Sequence, residues 1–154
     1  MEEATIPPPP SGLLRGARHL FPVRVYYEDT DLSGIVYHAN YLRWFERARS
    51  DMLRLLGIDQ RAAAEAGEGT YTVAELTIRY HAPAKLDDAV TIATEATEIR
   101  AASVRLRQRA SRDRELLAEA ELRVGFIGPD GRPRRQPAAW RAAFDTLQSA
   151  KAAA

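Results

Sequence analysis

Glu28, Asp29 and Asp31 fall within four positions of one another, and only Leu32 and Ser33 separate the last of them from Gly34. Carboxylates this close repel one another and contribute little to stability, so their gathering beside a glycine free to turn sharply or approach a ligand has the makings of a site. An aspartate with an unperturbed pKa near ~3.9 is ionised at neutral pH. It can attack an electrophilic carbonyl itself or take the proton from a water that does. His38 arrives just as the sequence turns helical, so its ring and the amides of the first helical turn face whatever the loop holds. Such amides, at the positive end of the helix dipole, suit a developing oxyanion. Ser33 lies in the same loop, but no G-x-S-x-G elbow surrounds it, which argues against a serine-hydrolase triad.

Composition removes several other chemistries. The chain has no cysteine, hence no thiol nucleophile, disulfide or cysteine metal site, and its three histidines, His19, His38 and His81, are too far apart for a short-spacing zinc motif. No metal and no cofactor is expected. A net charge of +1 over 154 residues leaves no footprint for nucleic acid or a membrane surface. The N-terminus has acids and prolines where a signal peptide needs a basic start and an apolar run, and no later stretch is long enough to span a bilayer. These features predict a cytoplasmic protein.

The elements that must hold the loop follow from periodicity. Residues 1–18, with four consecutive prolines, read as a disordered leader. Residues 19–149 read as one domain and 150–154 as a tail. Phe21, Val23, Val25 and Tyr27 alternate with polar neighbours as a half-buried strand should. From Asn40 to Leu56, Tyr41, Phe45, Ala48, Met52 and Leu55 recur at helical spacing, with Trp44, Leu53 and Leu56 widening the apolar face. Gly57 stops that helix, and Asp59 to Ala66 predict a short second one. Strands are then expected at Ala74 to Tyr80, Val90 to Ala96, around Val104 and Leu106, and from Leu116 to Phe126, with turns at Arg100 to Ser103 and Ser111 to Arg114. Trp140, Ala143, Phe144 and Leu147 are spaced for a C-terminal helix. One long helix after a first strand, followed by four antiparallel strands, predicts an α+β domain whose sheet of about five strands curls round the helix.

The string Tyr27-x-Asp29-Thr30-Asp31-x-x-Gly34-x-Val36-Tyr37-His38-x-Asn40-Tyr41, followed by Phe45-Glu46-x-Ala48-Arg49, resembles the signature of the 4-hydroxybenzoyl-CoA thioesterase family of hotdog-fold enzymes. Within that family it is most similar to the acyl-CoA thioesterases associated with the Tol-Pal system, and the likeness runs from about Leu20 to Ile127. The resemblance implies a hotdog fold and hydrolysis of an acyl-CoA thioester. It makes Asp31 the nucleophile or general base and His38 a second catalytic residue, with Gly34, Val36, Tyr37, Asn40 and Tyr41 matching the positions that surround substrate. Read as residues, Asn40 is a candidate helix cap, Tyr41 a core residue and Asp29 a turn stabiliser. The resemblance further implies a homodimer joined sheet edge to sheet edge, or a homotetramer, with acyl carrier protein as an alternative carrier of the acyl group. Two rival readings remain open: a non-catalytic scaffold that binds acyl-CoA or acyl carrier protein, and a hotdog enoyl-CoA hydratase. Arg105, Arg107 and Arg109 alternate on one strand face as a solvated row. Arg132, Arg134 and Arg135 are candidates for coenzyme A phosphates.

Overall fold

The computed structural model describes residues 5–150. Its elements are β1 (Leu13–Arg15), β2 (Arg18–Arg24), a 3-10 turn (Tyr27–Asp29), α1 (Asn40–Leu55), α2 (Gln60–Glu65), β3 (Thr70–Tyr80), β4 (Ala89–Ile99), β5 (Ser103–Arg112), β6 (Glu115–Ile127) and α3 (Ala138–Ser149). The strands pair antiparallel in one sheet of order β1-β2-β4-β5-β6-β3.

Helix α1 is enclosed because its apolar side chains cover more than one narrow stripe: Tyr41, Trp44, Phe45, Ala48, Met52 and Leu53 are all buried. Towards its N-terminal half it packs on Phe21, Val23, Val90, Ile92 and the β6 residues Ala118 and Ala120. Its C-terminal half meets a second cluster in which Leu106, Leu122 and Val124 of the sheet join Phe144 and Leu147 of α3. Leu55, placed on the apolar face by spacing, is 40% exposed at the last residue of the helix, while Met52 and Leu53 of the same turn are buried. The other face of the sheet is an ion-pair ladder. Arg105 meets Glu75 and Glu98, Arg107 meets Glu121, and Arg109 meets Glu119, so the expected solvated arginine row is paired across strands.

Two boundaries differ from expectation. The strand expected to run through Tyr27 ends at Arg24, and Tyr27, assigned to its buried face, stands exposed in a 3-10 turn that the Asp29 carboxylate closes by accepting the Tyr26 amide. The leader expected to be disordered through Arg18 joins the fold from Ser11, and β1 adds a sixth strand by pairing Leu13 with Leu20. Its anchor is Asp51 of α1, 3% exposed, whose carboxylate accepts the Ser11 hydroxyl and Gly12 amide at 2.9 Å and His19 Nε2 at 2.6 Å. Gly12 is required there, since a Cβ would stand 2.1 Å from the Leu20 carbonyl oxygen. Ala150, placed in the tail, caps α3 through its amide; residues 1–4 and 151–154, the rest of the leader's start and of the tail, lie outside the described residues.

Candidate active site

The loop between the 3-10 turn and α1 is built on backbone hydrogen bonds to two neighbours. The Tyr37 amide donates to the Asp29 carbonyl at 2.9 Å, and the Val36 amide donates to Ala84 at 2.9 Å beside a bridge between Ile35 and Lys85. Asp29 organises the turn from its side chain as well. It accepts the Tyr26 amide at 2.8 Å and the Asn40 side-chain amide at 2.5 Å, as a turn-stabilising aspartate should. Asn40 therefore does not cap the helix. It ties the first residue of α1 back to the turn, and the preceding Ala39 supplies no side-chain cap.

Asp31 sits at the tip. Its amide donates to Ile35 and its carbonyl accepts from Gly34, whose φ of 83° is the left-handed conformation a glycine takes without strain. One carboxylate oxygen, Oδ1, accepts both the Ser33 amide at 2.8 Å and the Ser33 hydroxyl at 2.5 Å. The other, Oδ2, has no hydrogen-bond partner among the described residues. The Ser33 hydroxyl, then its amide, hold the carboxyl below the usual aspartate range, and His38 adds to the effect through charge. The side chain is exposed in the single chain.

His38 precedes α1 on the same side. Its ring packs against Tyr37, centroids 4.6 Å apart, and meets the edge of Tyr80 at 6.2 Å. Tyr80, at the end of β3, donates its hydroxyl to the His38 carbonyl at 2.7 Å. Because the Tyr37 amide is already committed to Asp29, the open donors at the helix start are the amides of His38 and Ala39, which have no acceptor among the described residues. The remaining sequence candidates divide. Gly34 and Tyr37 are exposed beside Asp31, whereas Val36 and Tyr41 are buried, Tyr41 packing edge-on against Trp44 at 5.0 Å and Tyr80 at 5.7 Å.

Two features escaped sequence reading. Tyr80 belongs to the site by contact although it lies far outside the motif, and an aromatic closing a strand gives no sign of that. Gln108, fully buried on β5, donates to the Phe45 carbonyl and to Thr94 and accepts from Arg49 at 2.9 Å, so Arg49 is drawn inward rather than left on the helix surface. Arg134, a candidate for coenzyme A phosphates, instead donates to the carbonyls of Gly67 and Glu68. Among the described residues no group of three or more histidine, aspartate or glutamate side chains could hold a metal ion.

An antiparallel sheet wrapped round one buried helix, with an acidic loop delivered to that helix's open N-terminus, defines a hotdog-fold protein. The model of the thioesterase-like superfamily matches residues 25–147, and the chain belongs to that superfamily. It is 46% identical over 110 residues to the acyl-CoA thioester hydrolase YbgC of Escherichia coli, covering 71% of this chain and 81% of the relative. Among solved structures, a probable thioesterase from Bartonella henselae superposes with a TM-score of 0.75 at 36% identity, over 78% of this chain and 99% of that one. A 4-hydroxybenzoyl CoA thioesterase complexed with 4-hydroxybenzoyl CoA superposes with a TM-score of 0.76 at 24% identity, over 82% of this chain and 98% of that one, which speaks for the fold alone.

Proposed function

We propose that this chain hydrolyses acyl-CoA thioesters to the free acid and coenzyme A, with Asp31 as nucleophile or general base. The observation that carries the reading is the pairing of Asp31 with the start of α1. A carboxylate held ionised by Ser33, one oxygen uncommitted, stands in the same loop as helix amides that lack acceptors. The names of the similar proteins agree with it.

In the general-base form Asp31 takes a proton from water as the water oxygen bonds to the thioester carbon. The carbonyl oxygen, now carrying the charge, is held by the His38 and Ala39 amides. The C–S bond then breaks, and the coenzyme A thiolate leaves, taking up the proton that Asp31 held. In the nucleophilic form the Asp31 oxygen makes that first bond, breaking of the C–S bond expels the thiolate and leaves an anhydride, and water cleaves the anhydride to free the acid and restore Asp31. The amides do the same work in both, and losing one such donor costs ~10²-fold or more in rate. His38, its ring tilted against Tyr37, orients the acyl group or the leaving thiolate. Gly34 and Tyr37 line the approach; Val36, Asn40 and Tyr41 act beneath it, as support for the loop. A second copy of the chain, added along β3, closes the exposed side of Asp31. Acyl carrier protein as an alternative carrier of the acyl group, and a cytoplasmic setting, complete the proposal. No helix among the described residues is long and apolar enough to cross a membrane.

The test is a panel of thioesters from benzoyl-CoA through short to long acyl chains, read by release of free thiol. The native protein should turn over at least one class, and Asp31→Asn should remove most of that activity while leaving the thermal midpoint unchanged. An Asp31→Asn variant of full activity would end the mechanism, and binding without turnover would favour the scaffold reading. Hydration of crotonyl-CoA without thiol release would favour the hydratase.

A further inference from the structure

Arg112, the last residue of β5, holds a network that ends at the catalytic loop without touching it. Its guanidinium donates to Asp88 Oδ2 at 2.6 Å and to the Pro83 carbonyl at 3.2 Å, and it also bonds Glu115. The same Asp88 oxygen accepts the Lys85 amide at 2.8 Å, and the Asp88 amide returns a bond to the Lys85 carbonyl at 3.1 Å. The turn from Lys85 to Asp88 is thus closed twice. It needs to be, because Asp87 within it has a φ of 72°, which a residue with a side chain adopts at a cost.

That turn is the floor of the site loop. Ala84, fully buried, accepts the Val36 amide, Ile35 bridges to Lys85, and the Ile35 carbonyl accepts the amide of Asp31 at 2.9 Å. From Arg112 the links run through Asp88 to Lys85 and Ala84, from these to Ile35 and Val36, and so to Asp31. We infer that Arg112 and Asp88 are positioning residues for Asp31, holding the 83–88 turn on which the Asp31 to Val36 segment is built. This inference rests on the thioesterase reading of Asp31.

An ion pair whose side chains are 30% and 26% exposed contributes little to global stability, so the pair's value lies in geometry. A misplacement of about 1 Å can cost ~10²-fold in rate. The arginine is specific because one planar fork serves a backbone carbonyl and two carboxylates; a lysine ammonium is a single point donor.

The experiment uses the full chain with Arg112→Gln, Arg112→Lys and Asp88→Asn, each alone and combined with Asp31→Asn. Turnover is followed by thiol release and loop order by amide hydrogen exchange. In the otherwise native chain, Arg112→Gln and Asp88→Asn should each lower kcat about tenfold or more, with KM within about twofold. Arg112→Lys should recover part of the loss. Exchange at the Val36 and Lys85 amides should quicken while the Leu122 amide in β6 stays protected. In the Asp31→Asn background neither substitution should slow the residual reaction further. Native kcat in Arg112→Gln, beside an inactive Asp31→Asn, overturns this inference alone. An equal loss in the Asp31→Asn background overturns it too, since the effect would not pass through Asp31. A native chain that hydrolyses no thioester overturns the functional reading and the inference with it, and unchanged Val36 exchange shows separately that no clamp exists.

Discussion

On the proposed mechanism, Ser33 sets the pH range over which Asp31 can act. Its hydroxyl and amide both bind Oδ1 and hold the carboxyl below the usual aspartate value, so the ionised, reactive form persists into acid. A base that must be ionised gives a rate that is full above its pKa and falls as pH drops through it. The acid limb of kcat/KM should therefore lie below ~3.9, the ordinary aspartate value. Ser33→Ala removes the larger of the two bonds and should move that limb upward; a limb that stays in place would mean another group sets it. Asp31 and His38 could be singled out as candidates in the sequence because their neighbours form an ungapped run with a recognisable resemblance. The bond from Asn40 to Asp29 could not, because a helix-starting asparagine looks like a cap whether or not its amide turns back to the preceding turn. Gln108 was equally hidden: a polar residue between Arg107 and Arg109 reads as surface, and only the fold shows that it points under α1.

At the scale of elements, α1, β4 and β6 were legible because each repeats apolar residues over several turns or pleats, and burial follows the repeat at Phe45, Ala48, Ile92, Leu122 and Val124. β1 was not legible, since three residues carry no period and its anchor lies on another element. That anchor makes a prediction. His19 is fully buried, its Nε2 faces Asp51, and its Nδ1 has no partner, so protonation would create a buried N–H without an acceptor. Burial pulls the His19 pKa below its ordinary value, although Asp51 acts against this. Burial also opposes charge on Asp51, but its bonds from His19, Gly12 and Ser11 win, and its pKa is lowered. Both shifts have one sign in stability. The unfolded histidine binds a proton below ~6.5 while the folded one resists, so stability is full above that value and is lost as pH falls beneath it. Asp51 adds a further loss lower down, as pH falls from ~3.9 through its folded value. His19→Gln keeps a donor towards Asp51 and removes the titration. Its thermal midpoint should vary less between about pH 6.5 and 5 than that of the native chain; parallel curves would show that the latch does not titrate there.

At the scale of the molecule, the sheet has two ends of very different character. β1, three residues long, is a short edge and offers little for another chain to pair with. β3 is eleven residues long, is paired only with β6, and is exposed along most of its length, Val73 to 45%. The register with β6 shifts between Val73 and Glu75, and the run from Leu76 to Tyr80 pairs regularly with β6. Next to it, between α1 and β3, lies a cavity of about 250 Å³ lined by Glu46, Arg49, Thr72 and Val73. A long open edge beside an unfilled hollow is what a second copy would cover, and a two-fold pairing of β3 with β3 uses the same residues on both sides and closes on itself. The Asp31 carboxylate, exposed in one chain, stands in a loop joined to this edge through Tyr80. We predict a dimer by light scattering. Val73→Arg, which sets two guanidiniums against each other near the axis, should halve the measured mass and lower kcat with it, while the isolated chain keeps its helical and sheet content by circular dichroism. A variant of undiminished mass would place the interface elsewhere, and a monomeric variant with native kcat would mean that Asp31 works without a partner.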